Sequence, residues 1–129
     1  MLILLTERFK YSFNVTIINM DQEEILRNNF LEYYEMAEYA LSKKKYNSAA
    51  TLYYKALIEL CDLELLKKTG RIGVSHTERF ELLRDSSPHL YKTASKLFDF
   101  YRDSYNKQIS EVIFRQFKKE VDNVKDTAI

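Results

Sequence analysis

Apolar residues recur every three to four positions along most of this chain, the spacing that gathers them on one face of an α-helix. Five such stripes follow residue 20, and each is bounded by a polar segment or a helix-breaking residue. They predict five helices, near residues 21–42, 47–69, 76–85, 88–105 and 109–126. The predicted fold class is therefore all-α, an antiparallel up-and-down bundle of four or five helices.

Some helix boundaries carry their own signals. Asn47 is a favourable N-cap for the second helix, and Gly70 is a favourable stop after it. Ser75 and Glu78 have the spacing of a capping box, which predicts the start of the third helix. The break around 106–108 contains no Gly or Pro, so one continuous long helix is an alternative there.

The stripes also predict which residues are buried. The second helix carries apolar residues on more than one face, which indicates a central helix with neighbours on both sides. Its Ala56 is predicted to lie at a close helix crossing. In the fifth helix the predicted buried stripe starts at Ile109 and continues through Ile113 and Phe117.

Residues 1–19 differ from the rest, because they contain β-prone residues without helical spacing. We therefore divide the chain into an N-terminal leader or extension, 1–19, and a helical bundle, 20–129. Met20 is one candidate for the native start, and a tail packed on the bundle or a partner is the alternative. The sequence contains neither an apolar run of membrane-spanning length nor a basic signal leader, so we expect a cytoplasmic protein that does not associate with membranes.

Composition excludes several kinds of site. The chain has 2 Gly, which is too few for a glycine-rich phosphate loop. It has 1 Cys and 2 His, which does not suit a zinc centre, and we predict neither a metal nor another cofactor. The net charge of +1 provides no general attraction to nucleic acid.

The first two predicted helices resemble a tetratricopeptide unit in their small and aromatic residues, among them Tyr46, Ala49 and Tyr53. A repeat of that kind would break near Cys61, whereas the helical pattern here continues and no second copy follows. A repeat-like adaptor for protein interactions is therefore kept only as a second alternative function.

A longer resemblance covers about residues 20–127. The segment YNSAATLYYKAL (46–57) opens the second helix, a loop after Gly70 leads to His76 and a short helix, and LFDFYR (97–102) ends the fourth helix near Tyr105. In these features the chain resembles a HEPN domain, the nucleotide-binding helical bundle of higher eukaryotes and prokaryotes.

The resemblance implies a homodimeric bundle that binds nucleotides or RNA, or that pairs with a nucleotidyltransferase. Some members are metal-independent ribonucleases, including toxins of toxin–antitoxin systems, with an Arg and a His four to six residues apart near the end of helix four. After Arg102, the three positions for that His hold Lys107, Gln108 and Ile109. Because none of them is a proton acceptor near neutral pH, we predict no catalytic residue and a non-catalytic binding or regulatory role.

The alternative to this role is a ribonuclease that uses a histidine outside the family pattern, either His76 or His89. Each histidine follows an arginine by five residues, but in neither pair do both residues lie in one predicted helix. The simpler interpretation is that both histidines have a structural role at the start of a helix.

The resemblance also supplies candidate residues for binding nucleotide or RNA. They are Arg102, Lys107, Arg71, His76 and Tyr105. Carboxylates within one helical turn of the first two predict ordinary ion pairs at the same positions.

The remaining prediction is a homodimer. Tyr34, Tyr54 and Phe98 fit the buried stripes least well, and apolar residues left outside a small bundle commonly lie at a contact between subunits.

Overall fold

Five α-helices make up most of the structure, a computed structural model that describes residues 21–128. They are α1 (Gln22–Ser42), α2 (Tyr46–Thr69), α3 (His76–Ser86), α4 (Pro88–Asp103) and α5 (Glu111–Ala128). The described range contains no strand, which confirms the all-α prediction. None of its helices is both long and apolar enough to span a membrane. The predictions for the leader fall outside the described residues.

The first two helices form an antiparallel hairpin. Three residues, 43–45, separate them. The Tyr53 hydroxyl of α2 donates a hydrogen bond to the Glu38 carboxylate near the end of α1. Farther from the turn, Phe30 of α1 packs with Leu60 of α2. Positions therefore run in opposite directions along the two helices.

The fourth helix runs antiparallel to α2. The Asn47 side chain, at the start of α2, bonds the Ser104 carbonyl just after α4, at 3.0 Å. At the opposite end, the Lys68 ammonium donates to the Ser87 hydroxyl just before α4, at 2.9 Å. These two contacts place the helices side by side along most of their length.

The last helix turns back again along α4. Phe100 stacks on Phe117 with ring centroids 4.6 Å apart, and the Lys96 ammonium lies 2.8 Å from a Glu120 carboxylate oxygen. The helices α1, α2, α4 and α5 thus alternate in direction, which gives the predicted up-and-down arrangement. Helix α2 contacts each of the other four and is the central helix of the bundle.

Helix α3 packs on the bundle through the fully buried Leu83, and an ion pair and a close approach fix its start. The Arg79 guanidinium binds both carboxylate oxygens of Asp62 on α2, at 2.7 and 3.0 Å. Both side chains are nearly buried, at 12% and 7% exposure. A Cβ atom on Gly73 would lie only 2.6 Å from the Arg79 Cα, so this loop position has no room for a side chain.

The boundary signals are partly confirmed. Gly70 ends α2 in the left-handed conformation at φ 72°, and the Ser75 hydroxyl accepts from the Glu78 amide, as expected. The prediction for Asn47 as N-cap is wrong, because α2 begins one residue earlier and Lys45 precedes it. The Asn47 side chain instead bonds the chain between α4 and α5. That connection interrupts the helix, so the alternative of one continuous long helix is wrong.

The buried stripe of α5 includes Phe117, as predicted, but not Ile113. Ile113 is 51% exposed, whereas the neighbouring Phe114 is fully buried. Ile109 is buried as expected, but it lies before the helix begins at Glu111. The helical spacing therefore cannot be counted from Ile109, and the buried face of α5 is set by Phe114 and Phe117.

The aromatic residues assigned to a dimer contact lie mostly inside the bundle. Tyr54 is only 1% exposed, and its hydroxyl donates to the Ala94 carbonyl at 3.0 Å. The half-buried Tyr34 donates to the Asp122 carboxylate at 2.6 Å. These two tyrosines therefore do not supply a surface for a second subunit.

Candidate functional site

Four aromatic side chains form a row where α3 begins and α4 ends. Consecutive ring centroids are 5.8 Å apart between His76 and Phe98, 6.1 Å between Phe98 and Tyr101, and 5.5 Å between Tyr101 and Tyr105. We call these four residues the aromatic row. The two rings at its ends, His76 and Tyr105, are exposed, Tyr105 to 72%, and the two rings between them are partly buried.

Helical spacing explains most of the row. Phe98 and Tyr101 are three residues apart, so they lie on the same face of α4. Helix α4 ends at Asp103, two residues earlier than predicted, and Tyr105 follows in the turn beyond it. Because it has left the helix, Tyr105 is exposed instead of continuing the buried stripe.

Tyr101 is held from two sides. Its ring stacks on the buried Tyr54 ring at 4.7 Å, and its hydroxyl lies 2.6 Å from the Tyr105 hydroxyl. The pKa of Tyr101 is raised to about 12. The hydrogen bond with Tyr105 is the largest cause and partial burial the second. The Tyr101 hydroxyl is therefore neutral at physiological pH, and the two hydroxyls hold the rings at a fixed separation.

A cavity of about 310 Å³ opens beside the row, and we call it the aromatic cavity. It lies between α2 and the first turn of α3, with one residue from α1. Its lining residues are Tyr33, Tyr54, Lys55, Ile58, Glu59, Val74, Ser75, His76, Arg79 and Tyr101. Its volume is at the lower end of the range for small-molecule sites, roughly 300–1,000 Å³.

The Arg79 guanidinium is part of this lining but is already engaged. Burial alone would lower the pKa of Arg79, but the hydrogen bonds and charge of Asp62 outweigh burial and raise it. Arg79 therefore carries its charge in this pair. Arg79 positions α3, and with it His76, rather than offering a free cation to a ligand.

His76 is a neutral histidine in this setting. Its Nδ1 atom is 3.2 Å from an Arg79 nitrogen. Burial, and then the Arg79 charge, lower the pKa of His76 below its usual value. The structural interpretation of His76 is right about its place at the helix start, but the ring contacts the Arg79 and Phe98 side chains.

Glu59 supplies the carboxyl group of the cavity. Burial, and then the nearby Asp62 charge, raise the pKa of Glu59 to about 7. The Arg79 charge and a hydrogen bond with Asn29 lower the pKa of Glu59, but by smaller amounts. Near neutral pH the Glu59 carboxyl is therefore present in both protonated and ionised forms.

Three of the five predicted binding residues come together. His76 and Tyr105 are members of the aromatic row, and the Arg102 guanidinium lies over the Phe98 ring, 5.9 Å from its centroid. Arg102 also pairs with Asp99 at 3.3 Å, as expected, but both side chains are more than half exposed. An exposed ion pair of this kind is weak and can exchange for a ligand phosphate.

The other two predicted residues lie apart from the aromatic cavity. Lys107 follows Tyr105 on the connection to α5 and is 3.8 Å from the Asp103 carboxylate. Arg71 is exposed and pairs with Glu78 at 3.3 Å, without lining the aromatic cavity. The family resemblance therefore grouped residues that the fold only partly brings together.

Four site residues were missed as binding residues. Phe98 and Tyr101 were assigned to a dimer face and to the core, because a residue at the edge of a stripe has the same spacing as one at its centre. Lys55 and Glu59 lie on α2 within one turn of the buried face, and only the position of α3 shows that they line a cavity.

His89 lies in a different place. It is exposed in the first turn of α4 and lines a separate cavity of about 530 Å³ at the other end of the bundle, with Lys68 and Glu120. It contributes nothing to the aromatic row.

Comparisons with protein-family models, with curated proteins and with solved structures found no match to this chain. The function is therefore argued from the chemistry of the site.

Proposed function

We propose that this chain is a non-catalytic helical bundle that binds nucleotides or RNA at the aromatic row. The observation that carries the proposal is the row itself, with Arg102 over Phe98 and an exposed Tyr105 at its end. Aromatic rings stack on bases of any sequence, and an adjacent guanidinium can bind the phosphate.

The surrounding charges fit this role. Lys55 is exposed beside the aromatic cavity, 5.9 Å from the Tyr33 ring centroid, and makes no ion pair among residues 21–128. Lys55 and Arg102 thus offer positive charge at the edge of a mainly aromatic site. A base against the rings and a phosphate at this edge would use both kinds of group.

The test is fluorescence anisotropy with a labelled single-stranded RNA, with AMP as a competitor. Tyr105→Ala should weaken binding by at least about fivefold, since one base stack contributes about 1–3 kcal/mol. Arg102→Ala should weaken it about tenfold through loss of the phosphate contact. Helix content and melting temperature should stay unchanged.

Two substitutions serve as matched controls. Arg84→Ala removes another exposed arginine paired with an aspartate, and Leu31→Ala removes another exposed apolar side chain. Neither should change binding. If the unsubstituted protein binds neither RNA nor AMP, the proposed function is wrong.

One observation favours the ribonuclease as a second candidate. His76 and Arg102 both lie against Phe98, although they are far apart in sequence. A neutral His76 could accept the ribose 2′-hydroxyl proton while Arg102 stabilises charge at phosphorus. The 2′-oxygen would then displace the 5′-oxygen and leave a cyclic phosphate.

An RNA cleavage assay in chelator separates the two candidates. The non-catalytic proposal expects no cleavage. Cleavage that is lost in His76→Ala and retained in His89→Ala would replace the proposal with the ribonuclease.

The homodimer stays a prediction, and a nucleotidyltransferase partner rests on the family resemblance alone. Light scattering over a wide concentration range measures the mass of the particle. A dimer mass supports self-association, and a monomer mass throughout would contradict it.

A further inference from the structure

Another cavity, of about 650 Å³, lies at the turn between α1 and α2. We call it the lysine cavity. Lys44, Lys45 and Lys107 line it, and its lining contains no carboxylate. The aromatic cavity and the cavity beside His89 each include at least one glutamate. The lysine cavity is therefore better suited to an anion than these two, and within the described range only Lys107 of its lysines forms an ion pair, with the exposed Asp103 at 3.8 Å.

The backbone holds these lysines in place. Lys44 adopts the left-handed conformation at φ 58°, and the Lys45 amide donates to the Ala40 carbonyl at 3.0 Å. Across the cavity, the side-chain nitrogen of Asn47 donates to the Lys107 carbonyl at 2.7 Å. The turn after α1 and the connection after α4 are thus fixed relative to each other.

The lysine cavity adjoins the aromatic row at Tyr105, which belongs to both. Tyr105 lines the lysine cavity and Tyr101 lines the aromatic cavity, and their hydroxyls are 2.6 Å apart. Aromatic stacking surface and positive charge therefore follow one another along a single path from His76 to Lys44.

We infer that this path binds a single-stranded oligonucleotide, with bases against the aromatic row and phosphates of following nucleotides at the lysine cavity. The inference rests on the proposed function and extends it to the length of the ligand. A mononucleotide has one base and cannot reach both the exposed rings at the ends of the row, His76 and Tyr105, and the lysines beyond Tyr105. Linked nucleotides can use successive rings and lysines together, as in other single-strand binding grooves.

The experiment measures anisotropy with labelled oligoadenylates of increasing length, as RNA and as DNA, and compares them with AMP and ATP as competitors. Affinity should rise with length over the first several nucleotides and exceed that of ATP at least tenfold. Either sugar supports the inference. ATP binding as tightly as the longest oligomer would overturn it.

The decisive variant is Lys44→Asn/Lys45→Gln, in which Asn suits the left-handed position. It should weaken oligomer binding at least tenfold and reduce the slope of log affinity against log salt by about 1.4, since each phosphate contact on a single strand contributes about 0.7. AMP binding should not change. Lys92→Gln/Lys119→Gln, which removes two exposed lysines elsewhere, is the matched control.

The outcomes separate the two levels of the argument. If AMP and RNA bind but Lys44→Asn/Lys45→Gln behaves like its control, the inference is wrong and the proposed function stands. If no probe binds, both are wrong.

Discussion

The Asn47 side chain accepts a hydrogen bond from the backbone amide of Ile109, 62 positions later, at 2.9 Å. Its amide nitrogen donates to the carbonyls of Ser104 and Lys107, at 3.0 and 2.7 Å. One side chain therefore connects the start of α2 to both ends of the α4–α5 connection.

Replacing this side chain should cost stability and binding together. Asn47→Ala leaves the partly buried Ile109 amide without its partner and should reduce the free energy of unfolding by about 2–3 kcal/mol. It should also weaken oligonucleotide binding, because Tyr105 and Lys107 lie on the released connection. Urea unfolding and anisotropy measure the two effects. Asn28→Ala, at an exposed position of α1, should change neither, and equal behaviour of the two variants would contradict the prediction.

The helix crossing at Ala56 should not accept a charge. Ala56 is fully buried and packs with Phe30 and Leu60. Ala56→Asp places a carboxylate there with neither space nor a partner, so we expect a loss of at least about 3 kcal/mol. Thermal unfolding checks this, with Lys67→Asp on an exposed face of α2 as the control. An unchanged melting temperature would mean that this face of α2 is exposed.

The ion pair between Arg79 and Asp62 should depend on both partners being present. Arg79→Met leaves a buried carboxylate unpaired and should cost about 3–5 kcal/mol. Arg79→Met combined with Asp62→Leu should recover a large part of that loss, because no buried charge remains. Chemical denaturation of the two single variants and the double variant gives the coupling energy. A double variant that loses the sum of both single losses would show that the pair is not coupled.

Stability should depend on pH through Glu59. The pKa of Glu59 is about 7 in the folded protein, above the ordinary 4.5, so the folded state binds the proton more tightly. Protonation of Glu59 stabilises the folded state fully below about pH 4.5, and this stabilisation is lost as the pH rises toward 7.

Glu59→Gln removes this titration. The variant should be more stable than the unsubstituted protein by about 1 kcal/mol at pH 8. This value is smaller than the full pKa shift implies, because Glu59 is half-exposed and solvent screens its charge. The difference in stability should shrink toward pH 5. Melting temperatures across this range provide the measurement. Glu35→Gln, at an exposed position of α1, should show no such trend. A constant difference at all pH values would contradict the prediction.

Helix positions could be predicted from the sequence because hydrophobic spacing and Gly70 act within one or two turns. The partners of individual side chains could not. Asp62 and Arg79 are 17 residues apart, and nothing in the spacing of α2 distinguishes Asp62 from a solvated carboxylate. For the same reason Asn47 was assigned as a cap, since a local role is the only one that spacing can indicate.

The candidate site was predicted to a similar extent. Arg102 and Tyr105 were candidates because the end of the fourth helix resembles the family's, and His76 because the loop before the third helix does. Whether these elements meet depends on the packing of α3 against α2. That packing involves Gly73, which allows a close approach, the ion pair of Arg79, and the burial of Leu83 in the core.

The central position of α2 has a consequence for how the molecule opens. Because the other helices all pack on α2, its middle amides can reach water only when several interfaces separate at once. Their hydrogen exchange should therefore report global unfolding, with the slowest rates around Leu57 and Cys61. The exposed connection that carries Tyr105 is held to α2 by the Asn47 side chain, so its amides should exchange by local opening when these few hydrogen bonds break, while the core of the bundle stays closed.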